Sequence, residues 1–372
     1  MEGRADTLLS VRSLGKVFRT SGAEHEALSG VSLDIMRGEI FGLVGESGSG
    51  KSTLGRTLMG IYEPSAGEVY FLGRRIRAGT EEHEGRIKEL KARGRVEFFR
   101  LLRRFLSSPK KAKEHIENYK NVNKDLNIKI KNAKEELARA RVHLPLRVEP
   151  KIQMIFQDPS ASLNPRMTVG ESVAEGLIAI GISDREEREC RVDEALRAVG
   201  MSPRDKGRYP HEFSGGQRQR IGIARAVVMS PELLIADEPV SALDVSVQAQ
   251  VINLLEDLAA EMSLSVLFIA HDLSVVRHIS DRIGVMYKGR LVELAPSEEL
   301  FSNPLHPYTR SLLSAMPTAD PILERGRIRD VYVEEPTSGE RIFYDLGGGH
   351  FVLGTERELE KYKSGGKNDD KQ

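Results

Sequence analysis

Residues 45–52 have the types and spacing of a loop that binds phosphate groups. They follow the pattern G-x-x-x-x-G-K-[ST], and the apolar run 41–44 before them predicts a buried strand. Backbone N–H groups can close around phosphate oxygens only where side chains do not intervene, which explains the glycines. A helix over 53–59 would point its positive N-terminus at the same anion. The residues predicted to contact nucleotide here are Gly45, Glu46, Ser47, Gly48, Ser49, Gly50, Lys51, Ser52 and Thr53.

Lys51 and Ser52 supply the charged and polar side chains of this loop. The Lys51 ammonium adds a positive charge for the β- and γ-phosphates of a nucleoside triphosphate, and the Ser52 hydroxyl can ligate Mg²⁺. A Gly/Ser turn without a ligand is the structural alternative, which the predicted strand before the loop and helix after it disfavour. The sequence therefore predicts binding of a nucleoside triphosphate with Mg²⁺.

A second chemical element is the pair of adjacent carboxylates Asp237 and Glu238, which follows the apolar run 233–236. Asp237 would hold Mg²⁺ directly or through water, and Glu238 would polarise the water that attacks the γ-phosphate. Acidic residues after a strand are common, so the pair alone leaves the function open. Two further segments narrow it: residues 213–220, with the sequence FSGGQRQR, and the pair 271–272, His-Asp, after the apolar run 266–270.

Together these segments resemble those of the ATP-binding-cassette (ABC) ATPases. Residues 213–217 are similar to the family's L-S-G-G-Q signature, with Phe in place of the first Leu. In the family this signature binds the γ-phosphate held by an opposite subunit, so the resemblance implies a head-to-tail dimer closed over two ATP molecules. The signature residues assigned to nucleotide binding are Ser214, Gly215, Gly216 and Gln217.

Further positions are assigned by the same resemblance. Gln157 looks like the Q-loop glutamine, which touches Mg²⁺ and reports the nucleotide state to membrane subunits. Asp244 looks like the D-loop residue that reaches across the dimer, and His271 matches the switch histidine that bonds the γ-phosphate. Phe18 looks like the aromatic that stacks on adenine, although a Phe at a strand end or a His after a strand is by itself more often a core residue. The resemblance implies an ATPase whose catalytic residues are Glu238, His271 and Lys51.

Three stretches without catalytic chemistry resemble the ATPase subunits of dipeptide and oligopeptide importers: residues 153–169, 209–212 and 303–313. A turn rich in Pro and His would by itself be a helix breaker, but three matches along one chain favour the importer. Importers of nickel chelates or sugars are the alternatives within the family. The implied partners are a second ATPase subunit, either a copy or a paralogue, two transmembrane permease subunits and an extracytoplasmic substrate-binding protein.

The composition fits a peripheral subunit on the cytoplasmic face of a membrane. The 372 residues carry 55 basic and 55 acidic side chains, and no apolar run approaches membrane-spanning length. The first six residues lack the apolar core of a signal peptide. Cys190 is the sole cysteine, which excludes an intrachain disulfide and a four-cysteine iron–sulfur cluster.

Residues 80–149 depart most from the family, because a short connection becomes a long charged insertion. From Glu81 to Glu149 there are 19 basic and 11 acidic residues. Alternating steps of three and four predict a coiled-coil seam in its second half, and a reversal at 107–109 would give two antiparallel helices. The seam positions are Ile116, Tyr119, Asn123, Leu126, Ile130, Ala133, Leu137 and Ala140. The matching apolar face is predicted at Val96, Phe99, Leu102, Phe105 and Leu106.

The role of this hairpin stays open between contact with a partner, a solvated decoration and contact of its arginines with anionic lipid headgroups. A DNA-repair or chromosome-type ATPase is the rival from another class, because its ABC heads are also split by coiled coils. There the coils lie between Q-loop and signature, whereas here the insertion precedes Gln157. A soluble translation factor would normally carry two cassettes, and one phosphate loop occurs here. No nucleic-acid partner is therefore expected.

The predicted fold is α/β: a P-loop nucleotide-binding domain with a parallel-sheet core, an antiparallel β region and a helical subdomain. The ABC ATPase domain is predicted over residues 1–317, interrupted by the hairpin at 80–149 and including the helical subdomain at 164–225. Residues 318–372 are predicted to be a peptide-importer-type extension, with a β-hairpin over 341–353 and a disordered polar end from Lys361.

Overall fold

Two β-sheets form the frame of the protein. The computed structural model describes residues 6–20, 22–107, 112–141, 150–316, 332–334, 339 and 341–363. The strands of the described residues are β1 (Thr7–Thr20), β2 (Ala23–Met36), β3 (Ile40–Val44), β4 (Ala66–Phe71), β5 (Arg74–Ala78), β6 (Ile152–Ile155), β7 (Leu233–Asp237), β8 (Ser265–Ile269), β9 (Arg282–Tyr287), β10 (Arg290–Pro296), β11 (Ile342–Asp345) and β12 (Phe351–Gly354). One sheet has the order β2-β1-β4-β5, and the other has the order β11-β12-β10-β9-β3-β8-β7-β6.

Strand β3 lies inside the larger sheet, with β8 and β9 hydrogen-bonded in parallel on its two sides. Strand β7 pairs in parallel with β8 and β6. Parallel strands covered on both faces are expected to be continuous apolar runs, and Phe41, Leu43, Leu234 and Phe268 are fully buried. Because these strands are parallel, the carboxyl ends of β3, β6, β7 and β8 meet at one edge of the sheet.

The smaller sheet is antiparallel and packs against the larger one. Leu9 and Phe71 of the smaller sheet belong to the same buried apolar cluster as Phe41 of β3 and Leu54 of the first helix. That helix therefore lies between the sheets, with its N-terminus at the end of β3. The predicted parallel core and antiparallel β region are both confirmed.

The helices of the described residues are α1 (Lys51–Met59), α2 (Glu81–Ser107), α3 (Ala112–Arg141), α4 (Pro159–Ser162), α5 (Val169–Ala179), α6 (Arg185–Ala198), α7 (Gly215–Val227), α8 (Val245–Met262), α9 (Leu273–Ile279), α10 (Ser297–Ser302), α11 (Pro307–Ser314) and α12 (Glu356–Lys363). None of these is both long and apolar enough to span a bilayer. Helices α5, α6 and α7, with two short 3₁₀ turns between α6 and α7, form the predicted helical subdomain. Their shared core includes Val173, Leu196 and Ile221.

The insertion forms two long helices, α2 and α3, that pack antiparallel. Arg86 pairs with Glu136 at 3.2 Å, and the rings of Phe98 and Tyr119 contact each other at a centroid distance of 6.2 Å. Leu126 and Ala133 of the predicted α3 seam are buried. The reversal predicted at 107–109 falls largely on residues outside the described ranges.

The predicted packing face of α2 is wrong. Val96, Phe99 and Leu102 are 50%, 68% and 45% exposed, respectively. The less exposed stripe is instead Ile87, Leu90, Gly94, Glu97 and Leu101. This stripe begins at Ile87 and alternates steps of three and four, as the seam of α3 does. It lies about half a helical turn away from the predicted face. The side chains of Phe105 and Leu106 lie outside the described residues.

The C-terminal segment extends the larger sheet. Strands β11 and β12 form the predicted hairpin, and β12 pairs with β10. The prediction of disorder from Lys361 onward is wrong for residues 361–363, because they belong to α12. Thr355 caps this helix by a reciprocal bond with Glu358, and Tyr362 is 7% exposed, so a buried ring anchors it. Residues 364–372 lie outside the described ranges.

A buried carboxylate, Glu293 of β10, joins three parts of this region. Its two oxygens accept the backbone N–H groups of Leu305 (2.8 Å) and His306 (3.0 Å), and Oε1 lies 2.8 Å from Nε2 of His350. Burial by itself lowers the pKa of His350, but bonds to Glu293 and Glu299 raise it above the ordinary value. The carboxylate is thus paired, as its complete burial requires.

His306 caps helix α11, because its Nδ1 accepts the Tyr308 N–H at 3.1 Å. Burial lowers the pKa of His306 from 6.5 to about 4. The ring therefore stays neutral in the folded chain at neutral pH, which leaves Nδ1 free to accept.

We expect acid to destabilise α11 through His306. The unfolded segment takes up a proton near pH 6.5, whereas the folded segment resists it down to about pH 4. Stability from this group is therefore complete above about pH 6.5 and falls by about 1.4 kcal/mol per pH unit on acidification. His306→Asn keeps a capping acceptor without titrating. Hydrogen exchange of α11 amides between about pH 7 and pH 5 should show a smaller loss of protection in the variant, and equal losses would contradict the expectation.

Candidate functional site

The phosphate loop connects the buried strand β3 to helix α1, as predicted. Gly45 has φ 152°, and a Cβ there would lie 2.2 Å from the Met286 carbonyl oxygen. Gly50 has φ 101°, and its Cβ would lie 2.6 Å from the Ala27 carbonyl oxygen. Side chains are therefore excluded at both positions by the backbone that supports the loop.

Lys51 is 3% exposed and bonds to the loop's own backbone. Its Nζ donates to the carbonyl oxygens of Gly45 at 2.7 Å and Glu46 at 2.9 Å. Burial lowers the pKa of Lys51, while the carboxylates of Glu238 and Asp237 act in the opposite direction. The ammonium is thus held inside the loop, where an anion would replace some of the water it has lost.

Asp237 ends β7 directly beside the start of α1. Its Oδ1 accepts the Ser52 hydroxyl at 2.7 Å, and Arg56 lies 3.9 Å from Oδ2. This Oδ2 is buried and has no hydrogen-bond partner. Burial raises the pKa of Asp237, which the bond from Ser52 partly offsets. A buried carboxylate oxygen without a donor, next to a serine hydroxyl, fits the oxygen ligands that Mg²⁺ prefers.

Glu238 lies at the meeting point of three strand ends. Its Oε2 accepts a hydrogen bond of 2.9 Å from Nε2 of Gln157, which follows β6. The same oxygen lies 3.3 Å from Nδ1 of His271, which follows β8. Glu238 has φ 48°, in the left-handed region, and its N–H donates to the Ile269 carbonyl at 2.9 Å. A strained residue held in this way is typical of functional sites.

Lys51, Ser52, Gln157, Glu238 and His271 line one open pocket of about 600 Å³, whereas Asp237 lies behind Ser52 and does not line it. Its lining residues are Phe18, His25, Ala27, Ser47, Gly48, Gly50, Lys51, Ser52, Thr53, Gln157, Glu238 and His271. The ring of Phe18 is in edge-to-face contact with Tyr62, at a centroid distance of 5.1 Å. His25 and Ala27 were not predicted, since nothing in the types or spacing of strand β2 marks them.

The signature and D-loop residues do not line this pocket. Ser214 is the N-cap of α7: its hydroxyl accepts the Gln217 N–H, and the Gln217 side chain accepts the Ser214 N–H. Gly215 and Gly216 form the first turn. Asp244 is the exposed N-cap residue of α8, followed by Val245, which is 82% exposed. One chain therefore presents these groups on its surface, apart from its own phosphate loop.

Another contact to the loop was not predicted. The Glu46 N–H donates to the hydroxyl of Tyr308, which lies in helix α11, at 3.0 Å. The available signal was the stretch 303–313, which marks a branch of the family but carries no indication of contact with the loop.

Comparisons with known proteins agree with this geometry. Residues 28–241 match the ABC transporter family, and residues 292–339 match the oligopeptide/dipeptide transporter C-terminal region. The chain is 46% identical to the oligopeptide transport ATP-binding protein OppF of Bacillus subtilis, over 96% of this chain and 99% of the relative. It is 44% identical to the dipeptide transport ATP-binding protein DppF of Lactococcus lactis, over 91% of each chain.

A solved structure extends the agreement to the fold. The dimeric structure of MJ0796, a bacterial ABC transporter cassette, aligns with a TM-score of 0.54 and 25% identity, over 78% of this chain and 99% of that one. Family match, relatives and fold all point to one conclusion. The chain belongs to the ABC transporter family, as an ATP-binding subunit with ATPase activity.

Proposed function

We propose that this chain is the ATP-hydrolysing subunit of an importer of oligopeptides or dipeptides. The observation that carries the proposal is the match of residues 292–339 to the oligopeptide/dipeptide transporter C-terminal region. The names of the similar proteins from Bacillus subtilis and Lactococcus lactis support it. Importers of nickel chelates or sugars remain the alternatives in substrate.

The pocket supports a division of labour in ATP binding. Phe18 stacks on adenine, and the N–H groups of residues 47–53, which include the start of α1, surround the phosphates. Lys51 keeps its bond to the Gly45 carbonyl and gives up its bond to the Glu46 carbonyl, so that it can bond the β- and γ-phosphates. Its burial makes this exchange favourable, since a desolvated ammonium gains more from an anion than an exposed one does.

Ser52, Asp237 and Gln157 would hold the Mg²⁺ that accompanies the nucleotide. The unpartnered Oδ2 of Asp237 and the adjacent Ser52 hydroxyl support this assignment. When bound, the ion would neutralise charge on the β- and γ-phosphates. Arg56, 3.9 Å from the same Oδ2, adds a positive charge beside the carboxylate.

Glu238 orients and polarises the attacking water, and His271 bonds the γ-phosphate. The contacts of both Gln157 and His271 with one oxygen of Glu238 support a shared reaction centre. The fixed backbone of Glu238 aims its carboxylate at the pocket without reorganisation during the reaction.

The second half of each site would come from another ATPase subunit, a copy or a paralogue. The surface position of Ser214, Gly215, Gly216, Gln217 and Asp244 supports this, and so does the similarity to a dimeric cassette. Closure over two ATP molecules and reopening after hydrolysis would drive two permease subunits that receive peptide from an extracytoplasmic binding protein. The chain would then act on the cytoplasmic face of the membrane.

We expect Glu238→Gln to retain ATP binding but to lower kcat by roughly 10²- to 10⁴-fold, because the water loses its polarising carboxylate. Steady-state hydrolysis and equilibrium binding of ATP would measure the two effects. Glu261→Gln removes the same charge from an exposed position on α8 and should leave both values unchanged. Hydrolysis near the wild-type rate in Glu238→Gln would refute the assignment.

Ser214→Asp should lower hydrolysis by roughly 10²-fold while the chain still binds ATP at its own phosphate loop. Asp remains a good N-cap for α7, but its charge repels the γ-phosphate across the dimer. Ser214→Asn, which caps the helix without charge, should lose less activity. Weaker ATP binding by the isolated Ser214→Asp chain would show that the signature serves its own pocket, contrary to the proposal.

Mixing the Ser214→Asp and Glu238→Gln chains, both of which are expected to bind ATP, tests whether the second subunit is a copy. A mixed dimer of the two would have one site with every group intact, so hydrolysis should recover to a substantial fraction of the wild-type rate. Absence of recovery, with each chain folded, would indicate a paralogue as the partner.

Peptides should stimulate hydrolysis in the complex purified with its permease subunits and binding protein. Di- and oligopeptides, a nickel chelate and a sugar would be compared as added solutes. Stimulation by peptides alone supports the proposal, whereas stimulation by another solute would assign that solute class instead.

A further inference from the structure

Tyr308 reaches the phosphate loop from a region beyond the family's nucleotide-binding motifs. Its hydroxyl accepts the Glu46 N–H at 3.0 Å, and the two residues are 262 positions apart. The ring is 2% exposed and packs on Tyr287 and Tyr332, at centroid distances of 4.4 and 5.8 Å. Burial raises the pKa of Tyr308 to about 12, so the hydroxyl is not ionised at neutral pH.

The hydroxyl is fixed in position by the start of α11. His306 caps this helix through the Tyr308 N–H, and Glu293 of β10 accepts the backbone N–H groups of Leu305 and His306. These acceptors are buried. The turn before Tyr308 is therefore tied to the larger sheet, which also carries the loop through β3. Strand and helix thus hold the two partners of the bond in a fixed relation.

The bond acts on the peptide group between Gly45 and Glu46. The carbonyl oxygen of this peptide accepts the Lys51 ammonium at 2.7 Å, and its N–H is the group that donates to Tyr308. In a trans peptide the two groups point in opposite directions. Because Gly45 has φ 152°, its conformational freedom would allow this peptide to rotate. Tyr308 opposes that rotation and so fixes the acceptor that Lys51 faces.

We propose that Tyr308 is a positioning residue of the ATPase, which orients the Gly45–Glu46 peptide and thereby the ammonium of Lys51 for the phosphates. The proposal rests on the function proposed for Lys51. It gives the C-terminal region a direct part in nucleotide binding. The state of that region, including its docking on Glu293, is then transmitted to the loop.

Tyr308→Phe removes the hydroxyl and keeps the ring. The loss of one partly buried hydrogen bond should raise the Kd for ATP roughly five- to tenfold. Tyr332→Phe removes a hydroxyl from the neighbouring ring of the same aromatic group, which does not contact the loop, and should leave Kd unchanged. Kd would be measured by titration with ATP, and thermal midpoints would verify that both variants are folded.

Repeating the Tyr308→Phe substitution in the Lys51→Ala chain distinguishes an effect that acts through Lys51 from a general effect on the structure of the loop. If Tyr308 acts through Lys51, Tyr308→Phe should there change the Kd for ATP less than about twofold, because the two effects are not additive. An unchanged Kd for Tyr308→Phe alone would overturn the proposal. An equal weakening in both backgrounds would overturn it as well.

Failure of the proposed function gives a different result. Lys51→Ala with a wild-type Kd for ATP would refute the role of Lys51 itself, whatever Tyr308→Phe does. A weakened Lys51→Ala chain beside an unaffected Tyr308→Phe chain would refute the role of Tyr308 alone.

Discussion

The parallel hydrogen bonding of β3 between β8 and β9 is the constraint on which the site depends. Parallel strands place their carboxyl ends on one edge, and here the phosphate loop, Gln157, Glu238 and His271 follow four such ends. These segments are far apart in sequence and share no local contact before the sheet forms. A slip of one strand by a residue would turn its following side chains away from the pocket. The sheet therefore sets the distances between the groups that line the pocket, and the loops add the side chains.

Two charged side chains, Lys51 and Asp237, are buried at this edge of the sheet without a ligand. Burial lowers the pKa of Lys51 and raises the pKa of Asp237, so it disfavours the charged form of each. Their partners are few: loop carbonyls for the ammonium, and Ser52 with a distant Arg56 for the carboxylate. Such groups gain strongly from a phosphate or a cation, because little water must be displaced. The same desolvation that costs stability thus prepares the pocket for its ligand.

Much of the site could be predicted from local patterns, because each motif is a short segment at the end of an apolar strand. The pairing of α2 with α3 was also predictable, but not its face. The apolar residues Val96, Phe99 and Leu102, three positions apart, are exposed, whereas the packed stripe that begins at Ile87 includes Gly94 and Glu97 and is less apolar. The helix at Glu356–Lys363 was not predicted because its composition is polar; burial of the Tyr362 ring stabilises it. The Tyr308–Glu46 bond could not be found at all, because no local periodicity relates residues 262 positions apart.

The inserted helices leave the frame after β5 and return before β6, and their antiparallel packing brings the chain back close to where it left. None of the residues that line the pocket belongs to α2 or α3. An excursion of this kind can change in length by matched turns while the two strands stay in place. Exposed positions near the C-terminal end of α2, such as Arg103, are therefore suitable sites for attaching a fluorescent label, about 30 Å along the helix from its start.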